Sequence, residues 1–155
     1  MRDRIMQSTK DAMKAGEKRR LTTLRLITAA IKDRDIAARV DDKGHSTGKE
    51  RADDTELLQL LQKMIKQRRE SESTYREAGR QDLADQELSE IAVIEEFLPA
   101  QMSDDEISEA VTATIEDIGA SGLKDMGRTM AALKERFAGQ MDFGKASGLV
   151  KKTLG

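Results

Sequence analysis

The sequence predicts an all-α protein, and three observations lead there. Charged residues make up 36% of the 155 residues and aromatics only 3%. That balance suits amphipathic helices with solvated faces and disfavours strands, which draw on aromatic and β-branched side chains. Proline occurs once, at Pro99, so most of the chain runs without a helix breaker. Apolar residues recur three and four positions apart in segment after segment. A chain of this length suits one domain, or two small ones with modest cores.

The elements follow in order. A first helix is predicted over Asp3 to Ala15, with Ile5, Met6, Ala12 and Met13 on its apolar side and Gly16 as its stop. A second runs from about Lys18 to Arg39, where Leu21, Leu24, Ile27 or Thr28, and Ile31 share a face. Its entry, "KRR" at Lys18 to Arg20, places positive charge where the helix dipole favours negative charge. That local cost keeps a functional role open for a basic patch of Lys18, Arg19, Arg20 and Arg25. Val40 to Asp54 has almost no apolar side chains and holds Gly44 and Gly48, so a mobile loop is expected there. His45, the single histidine, lies inside it without a second histidine or a cysteine to share a metal, and reads as an exposed bystander.

Asp53 and Glu56 have the spacing of a capping box, so a third helix begins there and continues to Ala78, with Leu57, Leu60, Leu61, Met64 and Ile65 as its stripe. After Gly79, Ala84, Leu88, Ile91, Ile94 and Leu98 recur along a fourth helix, and the two read as an antiparallel hairpin turning at the glycine. Pro99 ends it. Ser103 and Glu106 form a second capping box ahead of Ile107, Val111, Ile115 and Ile118. Two shorter helices are predicted beyond, one from about Met126 to Phe137 with Asp125 as its N-cap, and one from about Gly144 to Leu154. The expected organisation is an N-terminal helical domain over residues 1–99 and a C-terminal three-helix domain over residues 100–155.

Net charge is −2, but its distribution is uneven: residues 1–49 hold 13 Lys/Arg against 7 Asp/Glu, residues 50–100 hold 7 against 13, and residues 101–155 hold 7 against 9. The basic and acidic thirds can complement each other within the fold or present charge to partners. Cysteine is absent, which excludes disulfides and thiolate chemistry. No apolar run approaches the roughly 20 residues of a membrane span, and "MRDRIMQSTK" lacks the apolar core of a signal peptide. No membrane association and a cytoplasmic location are expected. Gly119, Gly122, Gly127, Gly139 and Gly144 fall at helix ends and first turns with no strand before them, so they do not form a dinucleotide loop, and Walker signatures are missing. Glu95-Glu96 and Asp104-Asp105 are adjacent on helices and point in different directions, which does not suit a paired acid and base. No catalytic residue, metal or cofactor is expected from the residues.

"KQRRESESTYREAGRQDLADQE" in the hairpin, "LPAQMSDDEI" and "DMGRTMAALKERFAG" in the C-terminal part, and "LTTLRLITAAIKDRDI" near the start together resemble the YqeY-like (GatB/YqeY) proteins, relatives of the C-terminal region of the GatB component of the aspartyl/glutamyl-tRNA amidotransferase. The resemblance covers the chain apart from the 40–54 loop. It implies two helical parts and a tail-like module that touches tRNA, while the amidating site and the ammonia source lie in parts of that enzyme which this chain does not resemble. The associated activity, glutamine-dependent carbon–nitrogen ligation, therefore belongs to the whole enzyme in this reading.

The function expected is a non-catalytic module that binds tRNA or a tRNA-containing complex by shape and phosphate contacts, since single-strand readers need aromatic platforms that this chain lacks. Lys124, Gly127, Arg128, Lys151 and Lys152 are the candidate contacts. The alternative is an adaptor that docks through its basic second helix and hairpin on a protein partner in aminoacyl-tRNA metabolism, such as a synthetase, an amidotransferase or a ribosomal assembly.

Overall fold

The computed structural model describes residues Met1–Gly155 and is all-α, with seven helices. These are α1 (Arg2–Ala15), α2 (Lys18–Ala37), α3 (Asp54–Glu77), α4 (Gln81–Glu95), α5 (Asp104–Ile118), α6 (Met126–Arg136) and α7 (Phe143–Leu154), with a 3-10 turn over Leu123–Asp125 before α6. The chain divides into two compact units, Met1–Leu98 and Pro99–Gly155.

In the first unit α1 and α2 form one helical pair and α3 and α4 another. Gly16, at φ 69°, takes the left-handed conformation that ends α1, and its N–H reaches the carbonyls of Ala12 and Met13. Asp53 and Glu56 close the predicted capping box at the start of α3, each side chain accepting the other's backbone N–H. With 24 residues, α3 is about 36 Å long at ~1.5 Å per residue. A helix of that length needs lateral support, and α4 supplies it after the turn at Gly79. Leu24, Ile27, Leu57, Leu61 and Ile94 are sealed from solvent at the centre of this unit. Between α3 and α4 the guanidinium of Arg68 donates to Glu90 at 2.9 Å, both side chains being largely covered.

Two stripe assignments need correction. Leu88 is exposed, whereas Val93 and Phe97 are buried. On α4 the inward arc is centred on Ile91 and Ile94 and takes in half-buried Glu87 and Glu90, and Leu88 falls outside it beyond Ala84. On α1 only Ile5 and Ala12 are buried, while Met6 and Met13 stand in solvent.

The 40–54 segment is tied down by polar rather than apolar contacts. Asp41 accepts the N–H groups of Lys43 and His45 at 2.9 and 2.8 Å, closing a tight turn, and Val40 pairs with Ser46 in an isolated bridge. Asp35 is the main anchor. It takes a two-pronged bond from Arg2 at 2.9 and 2.7 Å and accepts the Ala52 N–H at 2.9 Å, which holds Ala52 in the core. His45 is exposed, with Nδ1 3.5 Å from Asp41.

The second unit packs α5, α6 and α7 around Ile107, Val111, Leu133, Met141, Ala146 and Val150. Met141 is fully buried, and Met126 and Met130 pack against that core, so these methionines fill space within it. Ser103 and Glu106 form the second capping box as predicted. Asp125 does not cap α6 with its side chain. Its carboxylate accepts the Ser121 N–H at 2.9 Å and so closes the turn leading into the 3-10 segment.

Candidate nucleic-acid interface

The second unit carries seven Lys/Arg among residues 101–155. Three are engaged: Arg128 with Asp125, Arg136 with Asp117 at 3.0 Å, and Lys145 with Asp104 at 2.8 Å. The cations left without an ion pair are Lys124, Lys134, Lys151 and Lys152, all exposed. Three of these four belong to the predicted cluster. Because the 3-10 segment packs on α7, and Leu123 lies beside Gly155 at the end of that helix, Lys124 and the Lys151–Lys152 pair come to the same end of the unit.

Arg128 has a different occupation. One guanidinium nitrogen donates to the Ile118 carbonyl at 2.9 Å and another to Asp125 at 3.2 Å. It thereby satisfies a carbonyl that α5 leaves open at its C-terminus. With five N–H donors on an arginine, the rest face solvent from a side chain that is 55% exposed. The Asp125 carboxyl is held below its ordinary range, first by the Ser121 N–H and then by Arg128 and the nearby charge of Lys124. Lys151 and Lys152 sit in the last turn of α7, where positive charge also suits the helix dipole.

Gly127 and Gly148 are the least explained residues of the unit. Both are exposed, both lie inside helices without positive φ, and a Cβ added at either would meet nothing within 4 Å. Neither turn geometry nor internal packing demands glycine there. An interior helical glycine costs about 0.5–1 kcal/mol relative to alanine. By contrast, Gly144 has an internal reason, since a Cβ there would come within 3.2 Å of the Asp142 carboxylate that caps α7.

Lys145 and Gly148 are not among the contacts predicted from the sequence. Together with Lys152, Leu149, Asp104, Ile107 and Ser108 they line a shallow groove between α5 and α7. The signal was present as spacing: Lys145, Gly148 and Lys152 are three and four apart, hence on one helical face. The hydrogen bond from Lys145 to Asp104 raises the lysine's pKa above its ordinary value, so it stays charged.

Of the second predicted patch, in the first unit, Lys18, Arg19 and Arg20 line one pocket with Gly16, Glu17, Ser89 and Val93. Arg20 is ion-paired with Glu96 at 2.6 Å, and Arg25 lies against the Met13 sulfur. Lys18 and Arg19 remain exposed without ion pairs, and Arg19 lines a cleft between α2 and α4 with Thr22, Gln86 and Ser89. The paired acids are dispersed, Glu95 to Arg69, Glu96 to Arg20 and Asp104 to Lys145. No group of three or more histidines and carboxylates is placed to hold a metal ion. No helix is long and apolar enough to cross a membrane.

Comparison with known proteins gives this architecture its relatives. A protein of Pyrenophora tritici-repentis named "Altered inheritance of mitochondria protein 41, mitochondrial" is 30% identical over 139 residues, which covers 86% of this chain and 71% of that protein. A protein of the same name from Clavispora lusitaniae is 33% identical over 114 residues, 72% of this chain and 61% of its own length. The family model described as "Yqey-like protein" matches residues 2–154, essentially the whole chain. The chain belongs to the YqeY-like family.

Proposed function

We propose that this protein is a non-catalytic RNA-binding module whose C-terminal unit grips folded RNA, tRNA in particular, through its sugar-phosphate backbone. The observation that carries the reading is the pair of exposed helical glycines, Gly127 and Gly148, which no internal contact requires. A bare helix backbone lets a phosphate or ribose approach closely, and the unpaired Lys124, Lys151 and Lys152 supply charge at the same end of the unit. Shape and phosphate recognition need no base-stacking platform, and this unit keeps its two aromatics, Phe137 and Phe143, packed on the core. The glutamine-dependent ligase chemistry associated with such chains is assigned to the larger enzyme. The compartment proposed is the cytoplasm; the fungal relatives carry a mitochondrial designation, and mitochondria also hold tRNA.

The test is tRNA binding by the full chain across a range of salt, with Lys124, Lys151 and Lys152 changed to glutamine. None has an ion pair, so the fold should be unaffected. The slope of log affinity against log salt should fall by roughly 0.7–0.9 for each phosphate interaction removed, with equal effect on all tRNAs. Wild-type affinity and slope in the triple variant would make the cluster a solvated face. Wild-type binding no stronger than that of an unrelated protein of equal charge would remove the RNA reading altogether.

A further inference from the structure

Seven large apolar side chains are exposed in this protein, and five of them, Met6, Met13, Leu26, Ile36 and Val40, belong to α1, α2 and the residues just after α2. Their arrangement is regular. The Arg2–Asp35 bonds and the Arg25–Met13 contact fix α1 antiparallel along α2. On α2 the outward positions Thr22, Leu26, Ala29 and Ile36 recur at helical spacing, and on α1 Met6 and Met13 are two turns apart on the side that meets Arg25. The outer surface of this helical pair therefore carries an apolar strip, interrupted by exposed Asp33, on the order of 15 Å long between Leu26 and Ile36 at ~1.5 Å per residue.

The charges along the strip are mostly of one sign. Lys10, Lys18, Arg25 and Lys32 alternate with its apolar residues, and none of the four has an ion pair within the chain. The acids on the same faces are Asp3 and Asp33. Several other arginines of this unit are matched to carboxylates, as in Arg2–Asp35, Arg20–Glu96, Arg34–Glu56 and Arg68–Glu90. On the outer face of α1 and α2 the four cations Lys10, Lys18, Arg25 and Lys32 have no such carboxylate partner, as is also true of Arg19, Lys63 and Lys66 elsewhere in the unit.

We propose that the α1–α2 surface docks an amphipathic helix of a protein partner, about three turns long, with aliphatic residues three and four apart and an excess of Asp and Glu along its flanks. Charge complementarity sets the sign of the flanks, and the helical spacing of the strip sets the form of the occupant. A lipid surface is the poorer fit. Interfacial binding favours aromatic anchors, and the aromatics of this unit, Tyr75 and Phe97, lie on α3 and in the buried segment after α4. The surface lies in the first unit and is independent of the RNA reading for the second.

The test places the photocrosslinker p-benzoylphenylalanine at Ile36 in the full chain, and in a control at exposed Lys63 on α3. Crosslinking is done in cells and the adduct peptide is sequenced. The expected adduct is a segment of another protein with aliphatic residues at three- and four-residue spacing and more Asp/Glu than Lys/Arg. Its yield should fall by about tenfold or more when Arg25→Glu and Lys32→Glu are added. Since both residues are exposed and outside ion pairs, thermal unfolding serves to confirm that the doubly reversed chain stays folded. The proposal is overturned by adducts confined to lipid, RNA or a second copy of the chain, by a crosslinked peptide without that pattern, by insensitivity to charge reversal, or by no enrichment over the Lys63 control.

Discussion

Replacing Gly148 by alanine separates folding from binding, because the two should move in opposite directions. Gly148 is the sixth of twelve residues in α7, in helical conformation, with open space where a Cβ would go. The added methyl relieves the backbone entropy cost of an interior glycine and should stabilise the helix by about 0.8–1 kcal/mol. For a unit spanning Pro99–Gly155, that corresponds to a rise in melting temperature of about 4–8 °C. Gly127 is the second residue of α6, where the helix is only beginning, so Gly127→Ala should gain less. If RNA backbone packs against the bare helix, the same methyl displaces it, and losing one charge-assisted contact of about 1.5 kcal/mol weakens binding by roughly tenfold. Stability is read by thermal unfolding and by hydrogen exchange of the α7 amides, binding by titration with tRNA at fixed salt. A variant that is more stable and binds tRNA with wild-type affinity would refute the argument that these glycines serve an external contact.

Further expectations concern specific contacts. Asp104→Asn removes the carboxylate that holds Lys145, so tRNA binding should tighten and its salt slope steepen, while loss of a negative charge at the start of α5 costs about 0.3–1 kcal/mol of stability; unchanged binding would exclude Lys145 from the interface. Ser103→Ala should destabilise by about 1 kcal/mol through loss of the capping box, and fully buried Leu61→Ala by roughly 2–5 kcal/mol. Leu88→Ala, at an exposed position, should stay within about 0.5 kcal/mol of wild type in denaturant unfolding. The Asp35 carboxyl is held below its ordinary value by Arg2 first and then by the Ala52 N–H. Its contribution is thus present above the unfolded-state pKa of about 3.9 and is lost as pH falls through the lower folded value. Protection of the Ala52 amide, corrected for intrinsic exchange, should stay level from neutral pH to about 4 and drop below it. Asp35→Ala should speed proteolysis between Arg39 and Arg51 at neutral pH, and unchanged cleavage would show that the anchor does not hold the segment.

Helix positions were legible because they rest on local signals. Both capping boxes, the Gly16 and Gly79 stops and the α3 stripe depend on residues within a turn or two of each other, and each appears where the spacing put it. Facing was less legible, because it depends on which neighbours a helix meets. A stripe through Ala84, Leu88 and Ile91 is a sound reading for α4 beside one partner, but α4 packs on both α3 and α2. The inner arc therefore shifts toward Glu87 and Glu90, where Arg68 pairs with Glu90, and Leu88 is left outside. The 40–54 segment misleads for a related reason: its anchors are backbone N–H and carbonyl groups bound by Asp35, Arg2 and Arg39, which apolar patterning does not register.

Charge is the least local property of all, and the candidate site shows the consequence. In the sequence Arg128, Lys145 and Lys152 are equivalent cations. In the folded unit Arg128 holds the end of α5, Lys145 is matched to an aspartate 41 residues away, and Lys152 is unmatched. Counting lysines and arginines therefore overstates what a surface offers, and the relevant quantity is the charge that folding leaves unneutralised. By that measure residues 101–155 hold an excess of acids in the sequence, 9 against 7, yet concentrate unmatched positive charge at one end of α7. A phosphate backbone responds to that local excess over a screening length of roughly 8–10 Å, so an acidic tally for the unit is compatible with an RNA-facing end. The decisive comparison is between Lys152→Gln, which removes unmatched charge, and Arg136→Gln, which removes a charge already matched to Asp117. The former should lower the salt slope of tRNA binding and the latter should leave it in place; equal losses would mean that the whole molecule's charge, and not this end of it, sets the interaction.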